Sequence, residues 1–512
     1  MSTVLATLAG ICALGAAGLL PVLVTVGLRW YAVPLAPLAG AVAASLAATA
    51  SLTFGGPLLD WFIGIAVLAA GAVCGLLVVR PDLGLRAEAP RGRGRGRGRG
   101  RAVDRVAGVV GFLVVVLACI WSLRGLRTPT VGFDARSLWV MRPGWFLHSH
   151  AQLLVDLRAR NLVLTQSAYP PLLSASVAVA WRITGIHTAR LGVTMVAVLD
   201  ACALAAAALA VVQAGRTVAA RVSRAWLPLA AGIAVAALLV VVAAGITEPF
   251  LTNGYADPLW SLAAVGAVAF GLQLRSDPST RAAAVILVLV AGMTKNEGFV
   301  TAVALVVLVA ARSIGIAGLR GARRRLVTPL VLAGCELAAL AWWPVLMKAI
   351  HARGASSTFS ASQDLAHRTD AVAHGFSPYL HVLVLAVPLA VLGGIALRGV
   401  RRRVELGNDL WAWLALATGL VAVASALVTG NGAIGPWLLS TAHRITEYPA
   451  VEGWWIVGLW AVVAAAGLAG PTAPDGVAAA DPTGAPVAVD DPTSDGPAVD
   501  DPAVDGLVGA PR

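Results

Sequence analysis

Charge is what this sequence has least of. Only 12% of its 512 residues are Asp, Glu, Lys or Arg, against about a quarter in an ordinary soluble domain. That deficit excludes a water-soluble globular protein. Cysteine is scarce too: Cys12, Cys74, Cys119, Cys202 and Cys335 sit singly inside apolar runs. None has metal-finger spacing, so a zinc module is excluded, and the five are expected to behave as small buried hydrophobes. The N-terminus lacks both a basic stretch ahead of its apolar run and a clear cleavage site, so no removable signal peptide is expected.

Apolar residues are abundant: 58% of the chain is hydrophobic and the mean hydropathy is +0.82. Many apolar runs reach the roughly 20 residues that a helix needs to cross a hydrocarbon core. The expectation is an all-α integral membrane protein, a polytopic bundle of about 13 spans. They fall near 3–28, 32–54, 57–79, 107–123, 190–213, 226–246, 258–274, 282–294, 299–312, 327–348, 380–397, 409–430 and 451–470. One further apolar stretch, 171–183, is too short for a full crossing and is expected to be re-entrant or to lie at the surface. Four regions follow: a three-span module over 1–79, an Arg/Gly linker over 80–106, a membrane core over 107–470 and a tail over 471–512.

The net charge of +12 is read through loop placement, because cytoplasmic loops of membrane proteins collect Lys and Arg. Basic loops occur at 80–105, at Arg216, Arg221 and Arg224, at Arg320 to Arg325 and at Arg398 to Arg403. With these cytoplasmic and the 171–183 helix not crossing, the polar loops at 124–170, 248–258, 294–298, 349–379 and 440–448 share the opposite, extracytoplasmic face. The alternating Arg and Gly from Arg91 to Arg101 cannot build a packed core; it is a topology anchor or a contact for anionic headgroups or RNA. The acidic, Pro-rich tail is expected to be disordered and cytoplasmic.

The longest complex polar interruption runs from Gly132 to Leu172. Asp134, early in it, is either a general base for an acceptor hydroxyl or the cap of a helix beginning at Ala135. Asp257 is a second acid for the acceptor or a carboxylate favoured by a helix N-terminus; Glu248 is a weaker candidate in the same loop. Lys295, Asn296 and Glu297 separate two short apolar segments. Charge at membrane depth points to function, with Lys295 holding a phosphate and Glu297 as its ion-pair partner. Arg142, His443 and Arg444 add positive charge around a phosphate or anchor the interface. Tyr169-Pro170-Pro171 sets an extended entry to the next helix, and Tyr169 and His150 complete the candidate binding set. His148 and His150 signal a metal only weakly, and no metal ligand is assigned.

These motifs taken together resemble the GT-C superfamily of polytopic glycosyltransferases, such as protein O-mannosyltransferases and aminoarabinose transferases. The resemblance rests on Phe133-Asp134-Ala135-Arg136-Ser137, Tyr169-Pro170-Pro171-Leu172, Gly254-Tyr255-Ala256-Asp257 and Thr294-Lys295-Asn296-Glu297-Gly298, and it covers roughly 107–450. It implies a polyprenyl-phosphate-linked sugar as donor and an envelope glycan, lipid or protein as acceptor, on the outer face of a bacterial cell membrane. No nucleic acid is implied. Asp134 then matches the catalytic acid of the first loop and Asp257 that of the second. Lys295 and Arg444 match the cations on the carrier phosphate. Many relatives have two adjacent acids in the first loop, whereas Ala135 follows Asp134 here, which bears on a divalent metal at that loop. Single displacement by the acceptor implies inversion at the sugar. The rivals are a transporter or flippase of a lipid-linked substrate, which would often show an internal repeat not evident here, and a non-catalytic envelope scaffold.

Overall fold

Each long apolar run folds as a helix, since a segment in hydrocarbon has to pair its own backbone N–H and C=O groups. In the computed structural model these helices are α1 (Thr3–Thr25), α2 (Ala32–Phe54), α3 (Leu58–Val79), α4 (Arg97–Ser122), α5 (His150–Arg158), α6 (Leu172–Thr184), α7 (Ala189–Ala219), α8 (Trp226–Thr247), α9 (Phe250–Asn253) and α10 (Asp257–Val268). They continue with α11 (Pro278–Thr294), α12 (Asn296–Leu319), α13 (Val327–Ala349), α14 (Leu365–Phe376), α15 (His381–Ala396), α16 (Asp409–Thr429) and α17 (Glu447–Ala469). The structure describes residues 2–79, 97–127, 130–132, 134–159, 168–248, 250–274, 277–319, 327–352, 365–376, 381–400, 406, 409–429 and 443–470. Residues 80–96 of the Arg/Gly linker, the basic groups at 320–325 and 401–403, much of the 349–379 loop and the 471–512 tail lie outside them. No strand occurs among the described residues.

Nine helices among the described residues are long and apolar enough to cross a membrane: α1, α2, α3, α4, α7, α8, α12, α13 and α17. The other four expected spans fall on α10, α11, α15 and α16. α10 has 12 residues and runs on into a π-helical turn over Ala269–Gln273, while α11 has 17 and α15 has 16. These three are each shorter than the about 20 residues of an upright crossing, whereas α16 has 21. α4 begins at Arg97, inside the segment expected to be a flexible linker. Arg is a good helix former, and extending an existing helix is far easier than nucleating a new one.

Within Met1–Pro471, which packs as one unit, burial is graded. The apolar window of α2 is 78% buried and that of α7 83%, whereas that of α13 is 17% buried. α2 and α7 are therefore central, and α13 turns most of its surface outward. Val331, Leu332 and Val345 on α13 and Val384, Leu385 and Leu392 on α15 are exposed, as expected of surfaces that face lipid rather than water. The same logic corrects the cysteine expectation. Cys119 is buried, but Cys12, Cys74 and Cys335 are exposed and all five thiols are free; a small apolar residue has no need of the interior when the outer solvent is hydrocarbon.

The first three helices are packed into this arrangement. α2 lies against α6, α7 and α11, and α1 lies along α2. The α1–α2 approach depends on small residues, as close helix pairs in membranes do. A Cβ on Gly18 would strike the Ala36 carbonyl, and one on Gly40 would strike the Leu14 backbone. The short α6, expected to be re-entrant or superficial, is buried along Leu172–Trp181 against α1 and α2. Gly40→Leu should force α1 off α2 and cost about 1–3 kcal/mol, read as a lowered melting temperature of the protein in detergent.

Candidate functional site

The breaks between apolar helices decide where charge can sit. α10 opens on Asp257 with Pro258 in its first turn, a position where proline forfeits no hydrogen bond. α11 and α12 are separated by Lys295 alone, whose backbone is extended (φ −152°, ψ 159°). The extended residue throws its side chain off the helix axis. Gly298 closes the break tightly, because a Cβ there would meet the Ala291 carbonyl and lie 2.9 Å from Trp260 Cβ. Arg444 sits in a helical turn just before α17, and Asp134 just before a π-helical turn over Ala135–Val140.

These four breaks meet. Lys295 Nζ donates to Asp257 Oδ1 at 2.7 Å and lies 3.4 Å from Glu297 Oε1. Arg444 Nε donates to Asp257 Oδ2 at 3.1 Å and Nη2 reaches the same oxygen at 3.0 Å. Arg444 Nη2 also holds Asp134 Oδ2 at 2.6 Å. Three carboxylates thus share two cations, with Asp257 bridging both. Exposure falls inward: the side chains of Asp134 and Glu297 are 24% and 20% exposed, Arg444 is 8%, Lys295 3% and Asp257 1%. Asp134 and Glu297 are the most exposed members of the cluster.

Arg444 is also clamped by rings. Its guanidinium lies 4.6 Å from the Tyr255 ring centre and 5.9 Å from that of Phe250, the cation–π range. Phe250 packs edge-on against Tyr255 and also contacts the His443 ring. Two glycines make room. Gly132, whose N–H donates to the Asn253 carbonyl at 3.0 Å, has the Tyr255 ring where a Cβ would stand. Gly254 has φ +85° and would bring a Cβ to 3.0 Å from Ala135 and Val193, so both its conformation and its space call for glycine.

The structure brings together Asp134, Asp257, Lys295, Glu297 and Arg444 of the residues selected from sequence. Asp134 does not cap the helix it precedes: its side chain makes no capping bond and goes to Arg444, a charged donor being the stronger partner. Tyr169 borders the cluster, stacked on Trp139 at 5.8 Å. Burial raises its phenol well above the usual value, and Glu297, Asp134 and Asp257 raise it further against the opposing pull of Arg444. Arg142 lies behind it, fully buried, giving one hydrogen bond to the Tyr169 carbonyl while Nε and Nη1 have no partner; burial lowers its pKa.

The remaining candidates are placed elsewhere. His150 Nε2 is bound to the Leu52 carbonyl of α2 at 3.0 Å, and His148 pairs with Asp156 at 2.8 Å. Asn296 is exposed at the start of α12. Glu248 lines a separate cavity of about 240 Å³ with Trp121, Arg124 and Thr252. Among the described residues no group of three or more His, Cys, Asp or Glu is placed to hold a metal ion. Asp134 and Asp257 are instead both committed to Arg444.

Other buried carboxyls were not among the candidates. Asp200 of α7 and Glu447 at the head of α17 are buried with neither oxygen hydrogen-bonded. Glu447 lies within electrostatic reach of Asp257, Arg444, Lys295 and Asp200. The signal for Asp200 was present, a lone acid inside a long apolar helix. Comparison with family models, curated proteins and solved structures gives no match for this chain.

Lys295→Ala would leave Asp257 short of one of its two buried cations, which should cost about 3–5 kcal/mol. Adding Asp257→Asn should restore part of that loss. A double-mutant cycle of thermal unfolding in detergent measures the coupling; strictly additive losses would show that the two side chains do not support each other.

Proposed function

We propose that this protein is a membrane glycosyltransferase of GT-C type, which passes a sugar from a polyprenyl-phosphate carrier to an extracytoplasmic acceptor in cell-envelope assembly. The observation that carries the reading is the joining of Asp134, Asp257, Lys295 and Arg444, from four separate chain segments, into one charge cluster within an apolar bundle. Holding that many charges out of water is costly unless they are paired, and intramembrane charge usually marks function.

The chemistry follows from the parts. The acceptor hydroxyl oxygen forms a bond to the anomeric carbon. The bond from that carbon to the phosphate oxygen breaks, and its electron pair leaves with the phosphate. Asp134, the most exposed carboxylate of the cluster, takes the hydroxyl proton as general base. Arg444 and Lys295 stabilise the departing phosphate in a setting of low dielectric. Asp257 fixes both cations, and Tyr169, stacked on Trp139, borders them. A single displacement inverts the sugar configuration. The active face is extracytoplasmic, with the Arg/Gly linker and tail cytoplasmic, as the loop charges imply.

A second reading, transport of a lipid-linked substrate, draws on Asp200 and Glu447, since buried unpartnered acids also line the pathways of membrane transporters. One assay separates the two. Membranes with the wild-type protein receive a panel of radiolabelled polyprenyl-phosphate sugars. Wild type should move label to an acceptor. Asp134→Asn should lower turnover about 10²–10⁴-fold, and Lys295→Ala should also lose transfer, with each variant melting as a folded protein. Near-normal turnover by Asp134→Asn would rule it out as the base. Label crossing the bilayer on its original lipid, with no sugar transferred, would establish the transporter.

A further inference from the structure

The cations assigned to the carrier phosphate are already held by carboxylates. Lys295 is sealed between Asp257 and Glu297, and Arg444 holds Asp257 and Asp134. Three carboxylates to two cations is an excess of negative charge, which repels a phosphate. An anion can enter only by replacing a carboxylate, and the geometry singles out which one. Asp257 is 1% exposed and uses both oxygens, Oδ1 on Lys295 and Oδ2 on Arg444 Nε and Nη2. Glu297 touches Lys295 at 3.4 Å, with the lysine deep behind it. Asp134 is 24% exposed, uses one oxygen on the outward side of Arg444 Nη2, and is tied to nothing by a helix cap.

We infer that Asp134 is an internal stand-in for the donor's phosphate: an anionic phosphate oxygen takes its place on Arg444 Nη2, and the exchange releases Asp134 to act as the base. This rests on the glycosyltransferase reading and adds an order to it. The Asp134 oxygen that Arg444 Nη2 occupies is not open to the hydroxyl of an acceptor. Seating the phosphate removes that restraint at the moment when an acceptor hydroxyl is to be deprotonated. Donor binding therefore switches on the base, and an acceptor arriving first meets an inactive site. Arg444 keeps other holds through the exchange, because Asp257 Oδ2 also takes its Nε and Nη2 and the Tyr255 ring lies 4.6 Å from its guanidinium.

The test measures binding alone, with no sugar and no acceptor, so that its failure is distinct from failure of the transferase reading. Full-length protein in lipid nanodiscs is titrated with a short-chain polyprenyl monophosphate, with the matching uncharged polyprenol and inorganic phosphate in parallel. Asp134→Asn, which removes the competing charge, should bind the polyprenyl phosphate about tenfold more tightly than wild type. Polyprenol should bind both proteins equally. A gain with inorganic phosphate as well supports exchange at the phosphate group itself; a gain confined to the polyprenyl phosphate supports the exchange and shows that the lipid is the ligand. Equal or weaker binding of the polyprenyl phosphate by Asp134→Asn overturns the inference, as does an equal gain for polyprenol. A second measurement needs no variant: labelling of Asp134 by a water-soluble carbodiimide should rise when polyprenyl phosphate is added to wild type. Protection of Asp134 under those conditions overturns the exchange independently.

Discussion

One carboxylate holds the polar end of this bundle together. Asp257 places one oxygen on Lys295 and the other on Arg444, so the start of α10, the α11–α12 break and the approach to α17 are joined through a single residue. None of the three charges is tolerable alone in a membrane interior, where an uncompensated ion costs several kcal/mol. Together each supplies what the others need. The arrangement constrains more than charge: with Asp257 fully buried and both cations nearly so, the ends of three helices are held within hydrogen-bonding distance of one another. Asp134 and Glu297 are then added from outside to cations whose positions are already set.

The position of Lys295 is a backbone matter before it is an electrostatic one. A single extended residue interrupts the helical hydrogen-bond ladder, which membranes allow only where protein covers the break. The close approach at Gly298, hard against the Ala291 carbonyl and Trp260, supplies that cover. A side chain there would part α11 from α12 and carry the lysine away from Asp257. Gly132 and Gly254 do the same for Arg444, by letting Tyr255 lie against the loop that carries Asp134. The absent Cβ atoms at three positions are thus part of the electrostatics.

Much of this was legible in the sequence, for physical reasons that also mark where legibility stopped. Apolar runs placed the helices, because hydrocarbon permits few alternatives to helix, though not all of their ends: α4 starts ahead of its expected span, and α7 and α12 run on past theirs. The polar breaks gave Asp134, Asp257, Lys295, Glu297 and Arg444, because charge among apolar spans is conspicuous. What could not be read was depth. In water, apolar periodicity separates inside from outside; in lipid both faces are apolar, so nothing in the sequence distinguished the buried α2 from the exposed α13, or Cys119 from Cys335. Pairing was equally hidden. Asp134 next to a helix start matches a cap, and only the arrival of Arg444, more than 300 residues away in the chain, makes it an ion-pair partner. His150 looked available for a ligand because its actual partner, a backbone carbonyl of α2, leaves no mark in composition.

The buried acids reveal a further asymmetry in how the bundle treats charge. Asp257 is given two cations, while Asp200 and Glu447, equally buried, receive no hydrogen bond at all. A structure that merely needed to neutralise acids would not distribute its cations so unevenly, since replacing an unpartnered buried acid by an apolar residue of similar size would stabilise it. Lys295 and Arg444 are both concentrated on Asp257, with the more exposed Glu297 and Asp134 as their further partners. Both cations are therefore gathered on one buried acid rather than shared among the three.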